Sequence, residues 1–393
     1  MPPYLAGREA EQNEFRRLLA QDTILENLVL TGLRGVGKTV LLETFKPLAL
    51  QEKWLWAGAD LSEATSISEV NLITRIITDL SIVTSGLTIQ LGARQRIGFE
   101  RKSDPIVRPV TYQYLSNFYD NVPGLPSDKI RAVLEHIWTM FSPIGYKGLI
   151  FAYDEAQNLS DHAERHQFPL SILLDVFQSI QRKGIPFMLV MVGLPTLFPK
   201  LVEARTFAER MFRVMFLGQL DRISSTEAVT RPIEDGNCPI TFDDPSVATI
   251  VELSGGYPYF IQFICREVYD VWIQRTAAGQ ALAIPVDEIT RKLDTDFFAG
   301  RWARATDRQR QLLYVIAKIE NESGEFSVQE VVEMSEKLLE KGFSNSHASQ
   351  MLVTLADSGL VYKNRYGRYC FAVPLMAQFI IRQHESGPLP LFE

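Results

Sequence analysis

Between a short aliphatic run and an amphipathic stretch lies Gly32-Leu33-Arg34-Gly35-Val36-Gly37-Lys38-Thr39, which fits the pattern G-x-x-x-x-G-K-[ST]. Its glycines let the main chain curl until several N–H groups converge on one point. A helix beginning at Lys38 turns its positive end toward that same point. Such a loop needs a strand before it and a helix behind it, so it commits the chain to an α/β architecture. The flanks agree, since 28–31 reads as a buried strand and 38–45 as the start of a helix. A helix over 9–19 precedes them, with Phe15, Leu18 and Leu19 on its apolar side. Strands over 54–59, 148–154, 187–192 and 213–217 follow, alternating with amphipathic helices such as 70–80. That rhythm is the one of a parallel sheet.

A loop of this kind grips the phosphates of a nucleotide. Lys38 can reach the β- and γ-phosphates, and the Thr39 hydroxyl can ligate Mg²⁺. A second motif serves the same chemistry: Leu149-Ile150-Phe151-Ala152-Tyr153 is an apolar strand ending in Asp154 and Glu155. Neighbouring residues of a strand face opposite ways. Asp154 can therefore hold Mg²⁺ through water while Glu155 polarises the attacking water as a general base. The expected cofactors are ATP and Mg²⁺. Lys38 and Glu155 are the expected catalytic residues, Thr39 and Asp154 the metal ligands, and residues 32–40 (Gly32, Leu33, Arg34, Gly35, Val36, Gly37, Lys38, Thr39 and Val40) the nucleotide cradle.

Together the two motifs resemble the AAA+ family, in the branch shared by origin-recognition-type initiator ATPases and STAND signalling ATPases. The resemblance spans nearly the whole chain. It implies a P-loop parallel sheet in the order 5-1-4-3-2, a helical lid and a C-terminal winged helix. Tyr4-Leu5-Ala6-Gly7-Arg8-Glu9 resembles the hydrophobic-Gly-Arg element that lies against adenine in this branch, which adds Gly7 and Arg8 to the site. Glu209-Arg210-Met211-Phe212-Arg213 stands where the family often has an arginine that reaches a γ-phosphate. Arg210 is the first candidate and Arg213 the second. If that arginine acts in trans, an isolated monomer hydrolyses ATP slowly and assembly into a homo-oligomer speeds it. Ser254-Gly255-Gly256-Tyr257-Pro258-Tyr259-Phe260 resembles the Gly-x-Pro lid motif of STAND proteins, with Pro258 close to the nucleotide. Two departures favour slow turnover. Pro258 occupies the place of an arginine in initiator-type relatives, and Leu194-Pro195-Thr196 the place of a polar γ-phosphate sensor.

Three domains are expected in the 393 residues: an ATPase core over 1–221, a lid over 222–300 and a winged helix over 301–393. The core carries an insertion at 81–128 with at most short structure of its own and a basic cluster of Arg94, Arg96, Arg101, Lys102 and Arg108. The winged helix is read from helices over 306–319, 327–340 and 344–358, followed by a hairpin over 360–362 and 369–372. Thr306 and Gln309 have the spacing of a capping box. The third helix offers Asn345, Ser346, Ser349 and Gln350 but no Arg or Lys, while the wing offers Lys363, Arg365 and Arg368.

From Arg301 onward 11 basic residues balance 11 acidic ones, so this unit alone binds DNA weakly. The net charge of −7 likewise excludes a generally basic surface. DNA, through the winged helix and the basic insertion, is one candidate partner; an effector protein is the other. The function expected is an ATP-driven switch of initiator or transposition-regulator type, or alternatively a signalling or defence ATPase whose winged helix controls a protein. Cys238, Cys265 and Cys370 lie too far apart in sequence for a zinc or disulfide motif. His162 and His166 have no evident third ligand. No apolar run suits a membrane span, and the expected location is the cytoplasm.

Overall fold

The structure is a computed structural model that describes residues 4–86, 88–91, 106–236, 238–319, 324–364 and 367–386, with 88–91 and 106–108 described by their backbone alone. Strands buried on both faces are near-continuous apolar runs, and the central ones are, apart from Asn27 and Thr31 in the first. All residues of β1 (Asn27–Gly32), β3 (Gly148–Tyr153) and β4 (Phe187–Gly193) are buried. With β2 (Trp54–Ala57) and β5 (Phe212–Leu217) they form one parallel sheet in the order β2-β3-β4-β1-β5. Read from its other edge, this is the expected order 5-1-4-3-2. At the β5 edge the pattern loosens, and Arg213, Val214 and Phe216 are exposed.

Helices cover both faces, giving three layers. On one side Glu9–Leu19 and Lys38–Gln51 meet through Phe15 and Phe45, stacked at 4.1 Å. On the other, Glu69–Thr84, Pro126–Phe141 and Pro169–Arg182 enclose a core around Phe151, Phe177 and Leu189.

The insertion is more ordered than expected. Helix Glu69–Thr84 runs into it, and Thr88–Leu91 pairs antiparallel with Ile106–Pro109. Tyr112–Asn121 then forms a helix, and Pro126–Phe141 begins inside the segment. The cause is local and tertiary at once. Thr111 caps the helix by accepting a hydrogen bond from the Tyr114 N–H at 3.3 Å. Leu115 is fully buried, Tyr114 Oη and His136 Nε2 lie 2.7 Å apart, and Phe118 stacks on the same imidazole at 4.4 Å. Arg94, Arg96, Arg101 and Lys102 lie outside the described residues, and Arg108 sits in the second strand of the pair.

Beyond β5 the helices Arg222–Asp235, Asp244–Ser254 and Pro258–Ala277 gather around Val229, Ile250 and Ile264. Asp221 and Asp243 cap the first two, accepting from Ser224 N–H at 2.7 Å and Ser246 N–H at 3.0 Å. Helical structure then runs unbroken from Val286 to Trp302 as the successive segments Val286–Leu293, Asp294–Ala299 and Gly300–Trp302, crossing position 300 without a break.

Asp307–Ala317, Val328–Leu338 and Asn345–Asp357 are the three helices of the winged unit. Its strands β6 (Glu325–Phe326), β7 (Val361–Lys363) and β8 (Tyr369–Phe371) form an antiparallel sheet in the order β6-β8-β7. The Thr306–Gln309 capping box is present. A last helix, Met376–Ser386, returns along Asp307–Ala317, where His384 stacks on Tyr314 at 3.7 Å. Among the described residues no helix is long and apolar enough to cross a membrane.

Candidate nucleotide site

Gly35 and Gly37 both have positive φ, 80° and 90°, and this bends the loop back over the start of helix Lys38–Gln51. Gly32 is required for a different reason: a Cβ there would lie 2.4 Å from the carbonyl oxygen of Leu217 on β5. The Lys38 ammonium donates to the carbonyls of Gly32 and Leu33, each at 2.9 Å. Burial pulls its pKa down, and the negative charges of Asp154 and Glu155 oppose that shift. At the end of β3 the nearly buried Asp154 carboxylate accepts from Thr39 Oγ1 at 2.6 Å and from the Glu155 N–H at 2.7 Å. Glu155 itself is exposed, with a left-handed backbone (φ 51°) at the tip of the strand.

Two hollows meet over this loop. The first, 300 Å³, is lined by Arg34, Lys38, Thr39, Glu155, Gln157 and Tyr259, among others. The second, 480 Å³, is mostly apolar and is walled by Leu5, Ala6, Val36, Leu220, Ile261 and Cys265. Gly37, Val40, Pro258 and Gln262 line both, so the two join end to end. A polar end over a glycine loop and an apolar end beside it match the phosphates and the base of one nucleotide. The carboxylate–hydroxyl pair of Asp154 and Thr39 is the donor set that suits Mg²⁺. Burial pushes the Cys265 thiol up to about 12, so this wall stays protonated and apolar.

A family model described as a domain of unknown function (DUF8462) matches residues 295–380. No curated protein matches the chain in sequence. The Walker-type ATPase paby2304 of Pyrococcus abyssi is similar in structure with a TM-score of 0.58, at 15% identity over 96% of each chain. The ORC2 protein of Aeropyrum pernix in its ADP form gives 0.57 at 15% identity, over 98% of this chain and 97% of that one. The chain has the AAA+ fold.

Within the AAA+ fold the expected site residues divide into three groups. Arg34, Gly35, Gly37, Lys38, Thr39, Val40, Glu155 and Pro258 line the polar hollow, and Arg8, Val36, Gly37, Val40 and Pro258 the apolar one. Gly32, Leu33 and Asp154 stand behind them, holding Lys38 and Thr39. Gly7 lines neither hollow; its φ is 60°, and a Cβ there would lie 2.4 Å from Ser224 Oγ. Arg8 borders the base cavity, but its guanidinium is already engaged, donating to the carbonyls of Gly218 at 2.7 Å and Val36 at 3.1 Å.

The two arginine candidates are not in the cavity. Register pairs Phe212 with Asn27, so Arg210 lies beside the start of β1, about 20 Å of strand from the loop. Arg210 is exposed, whereas Arg213 is paired with Glu14 at 3.0 Å.

Pro258 opens helix Pro258–Ala277, and the N–H of Tyr259 donates to the Gly35 carbonyl at 3.1 Å. The lid helix is thus bonded directly to the phosphate loop. Gln157 was not foreseen. Its side chain accepts from the Leu194 N–H at 3.1 Å and donates to the Glu155 carboxylate, placing an amide where Leu194 has nothing polar to offer. Lys200 fixes it, donating to the Gln157 carbonyl at 2.6 Å. Thr196 lies at the start of helix Leu197–Ala204. His162 donates to or accepts from Ser66, and among the described residues no metal-binding cluster of His, Cys, Asp or Glu occurs.

On the winged unit Asn345, Ser346 and Gln350 are exposed and Ser349 is partly covered. Arg368 is bound by Glu330 at 2.9 Å and Glu325 at 3.6 Å, and Lys363 lies over the Tyr369 ring. Arg365 lies outside the described residues.

Proposed function

We propose that this protein is an ATP- and Mg²⁺-binding ATPase that works as a nucleotide-controlled switch. The observation that carries the reading is the Thr39–Asp154 contact of 2.6 Å beneath two joined hollows, polar and apolar. Mg²⁺, when bound, neutralises phosphate charge. Thr39 and Asp154 would hold it, Lys38 would bind the outer phosphates, and Glu155, steered by Gln157, would take a proton from the attacking water. Gly7, Arg8, Val36, Val40 and Pro258 would shape the base end. The units would be a core over 1–221, a lid over 222–300 and a winged helix over 301–393, the last two joined within the helical stretch Val286 to Trp302.

DNA is the first partner proposed, on the likeness of the whole chain to an initiator-type fold. A protein partner is the second, because Arg368 is neutralised by two carboxylates and the third helix carries no Arg or Lys. Calorimetric binding of ATP and ADP, together with phosphate release, tests both. Lys38→Ala should lose nucleotide, while Glu155→Gln should bind it and fail to hydrolyse it. Normal ATP binding by Lys38→Ala would sink the site assignment. Turnover stimulated by duplex DNA and fading with salt supports DNA. Indifference to DNA supports the protein partner.

A further inference from the structure

On the other side of Arg34 from the phosphate loop lies a separate hollow of 400 Å³. Three parts of the molecule wall it. Arg34 comes from the loop, Asp296, Arg301 and Arg304 from the helical stretch that joins lid to winged unit, and Ser358 and Gly359 from the turn before β7. Three arginines and one aspartate line it, a net charge of two positive.

Several arginines elsewhere in the chain are matched: Arg75 pairs with Asp79, Arg205 with Asp175, Arg368 with Glu330 and Arg382 with Asp294. Among the described residues Arg34, Arg301 and Arg304 form no ion pair. Arg301 is also held in place. It donates to the Phe297 carbonyl, and its guanidinium lies over the Phe297 ring, 4.5 Å from the centroid. Burial lowers its pKa, the positive charges of Arg34 and Arg304 lower it further, and Tyr259 opposes them. Like charges gathered around one hollow repel each other, and a multiply charged oxyanion relieves that repulsion. Guanidinium forks suit the several oxygens of a phosphate group.

We propose that this hollow is a second phosphate-binding site, in which Arg34, Arg301 and Arg304 hold a phosphate group beside, and separate from, the nucleotide. Only Arg34 is common to this hollow and the nucleotide cavity. The occupant would tie loop, linking helix and winged unit to one another. The chemistry is that of a tetrahedral phosphate, supplied either free or by a nucleic-acid backbone.

The test uses the full chain saturated with ADP and Mg²⁺, titrated with inorganic phosphate at constant ionic strength and followed by calorimetry and ³¹P line widths. One saturable site is expected. Arg301→Gln and Arg304→Gln should each weaken it roughly 10- to 100-fold, the loss of a charge-assisted contact, without changing ADP affinity. Arg304 is exposed, so its replacement leaves the fold intact. Displacement of phosphate by a short single-stranded oligonucleotide without terminal phosphates would identify the backbone as the source; failure to displace it would identify free phosphate. Absence of saturable phosphate binding in the wild type, or wild-type affinity in both variants, would overturn the site. Failure to bind ADP would fault the nucleotide reading instead, and the same titration without ADP still decides this one.

Discussion

Arg8 has a buried guanidinium that spans two elements, donating to Val36 in the phosphate loop and to Gly218 just after β5. Its replacement by Ala strands two carbonyls at a cost of about 1–3 kcal/mol each. Arg8→Ala should therefore lower the melting temperature and weaken nucleotide binding together. Arg8→Lys should recover little, because one ammonium cannot reproduce the fork. A calorimetric melt with and without ADP separates the two effects. Gly35 gives a sharper test. With φ at 80° and a Cβ that would sit 2.8 Å from Cβ of Tyr259, Gly35→Ala should push the lid from the loop and raise the Kd for ADP, read by fluorescence titration.

Among elements, the lid helices owe their starting points to Asp221 and Asp243. Hydrogen bonds from Ser224 and Ser246 hold both carboxyls below the ordinary carboxylate value. A depressed acid stabilises the fold at every pH above its unfolded value of about 3.9, and the benefit is lost as pH falls through the folded value. Melts from neutral pH down to about pH 3 should show this loss, and the Asp221→Ala/Asp243→Ala double variant should show a shallower one. The strands were plain in sequence because each central one is built on an apolar run, as short as Leu28 to Leu30 in β1. The helix Tyr112–Asn121 was not, because only Leu115 on it is fully buried and its other support comes from His136 on a different helix. Its one local signal was Thr111 at the cap position. The phosphate loop was legible because every residue type in it is constrained by backbone geometry or charge. Gln157 and Gln262 were not, since nothing in an isolated glutamine shows that a fold will carry it to a cavity.

For the whole molecule, the aromatic series Tyr259, Phe297, Phe298 and Phe379 links the lid to the last helix, with successive centroids 5.1, 5.0 and 5.1 Å apart. Phe298 is fully buried in it. Phe298→Ala should cost about 3–5 kcal/mol, and scanning calorimetry should show the winged unit melting ahead of the core. Arg210 belongs to this scale as well, because at its distance from the loop it could reach only a nucleotide held by a neighbouring copy. Arg210→Ala should hydrolyse ATP like the wild type when dilute and fall behind it by about 10³-fold or more at concentrations that drive assembly. Equal rates at high concentration would remove the arginine from the mechanism.

The hydrogen bond from the Tyr259 N–H to the Gly35 carbonyl fastens a cover onto its own vessel. If the two hollows hold one nucleotide, as proposed, this bond would slow its release, and loosening it would shorten the stay.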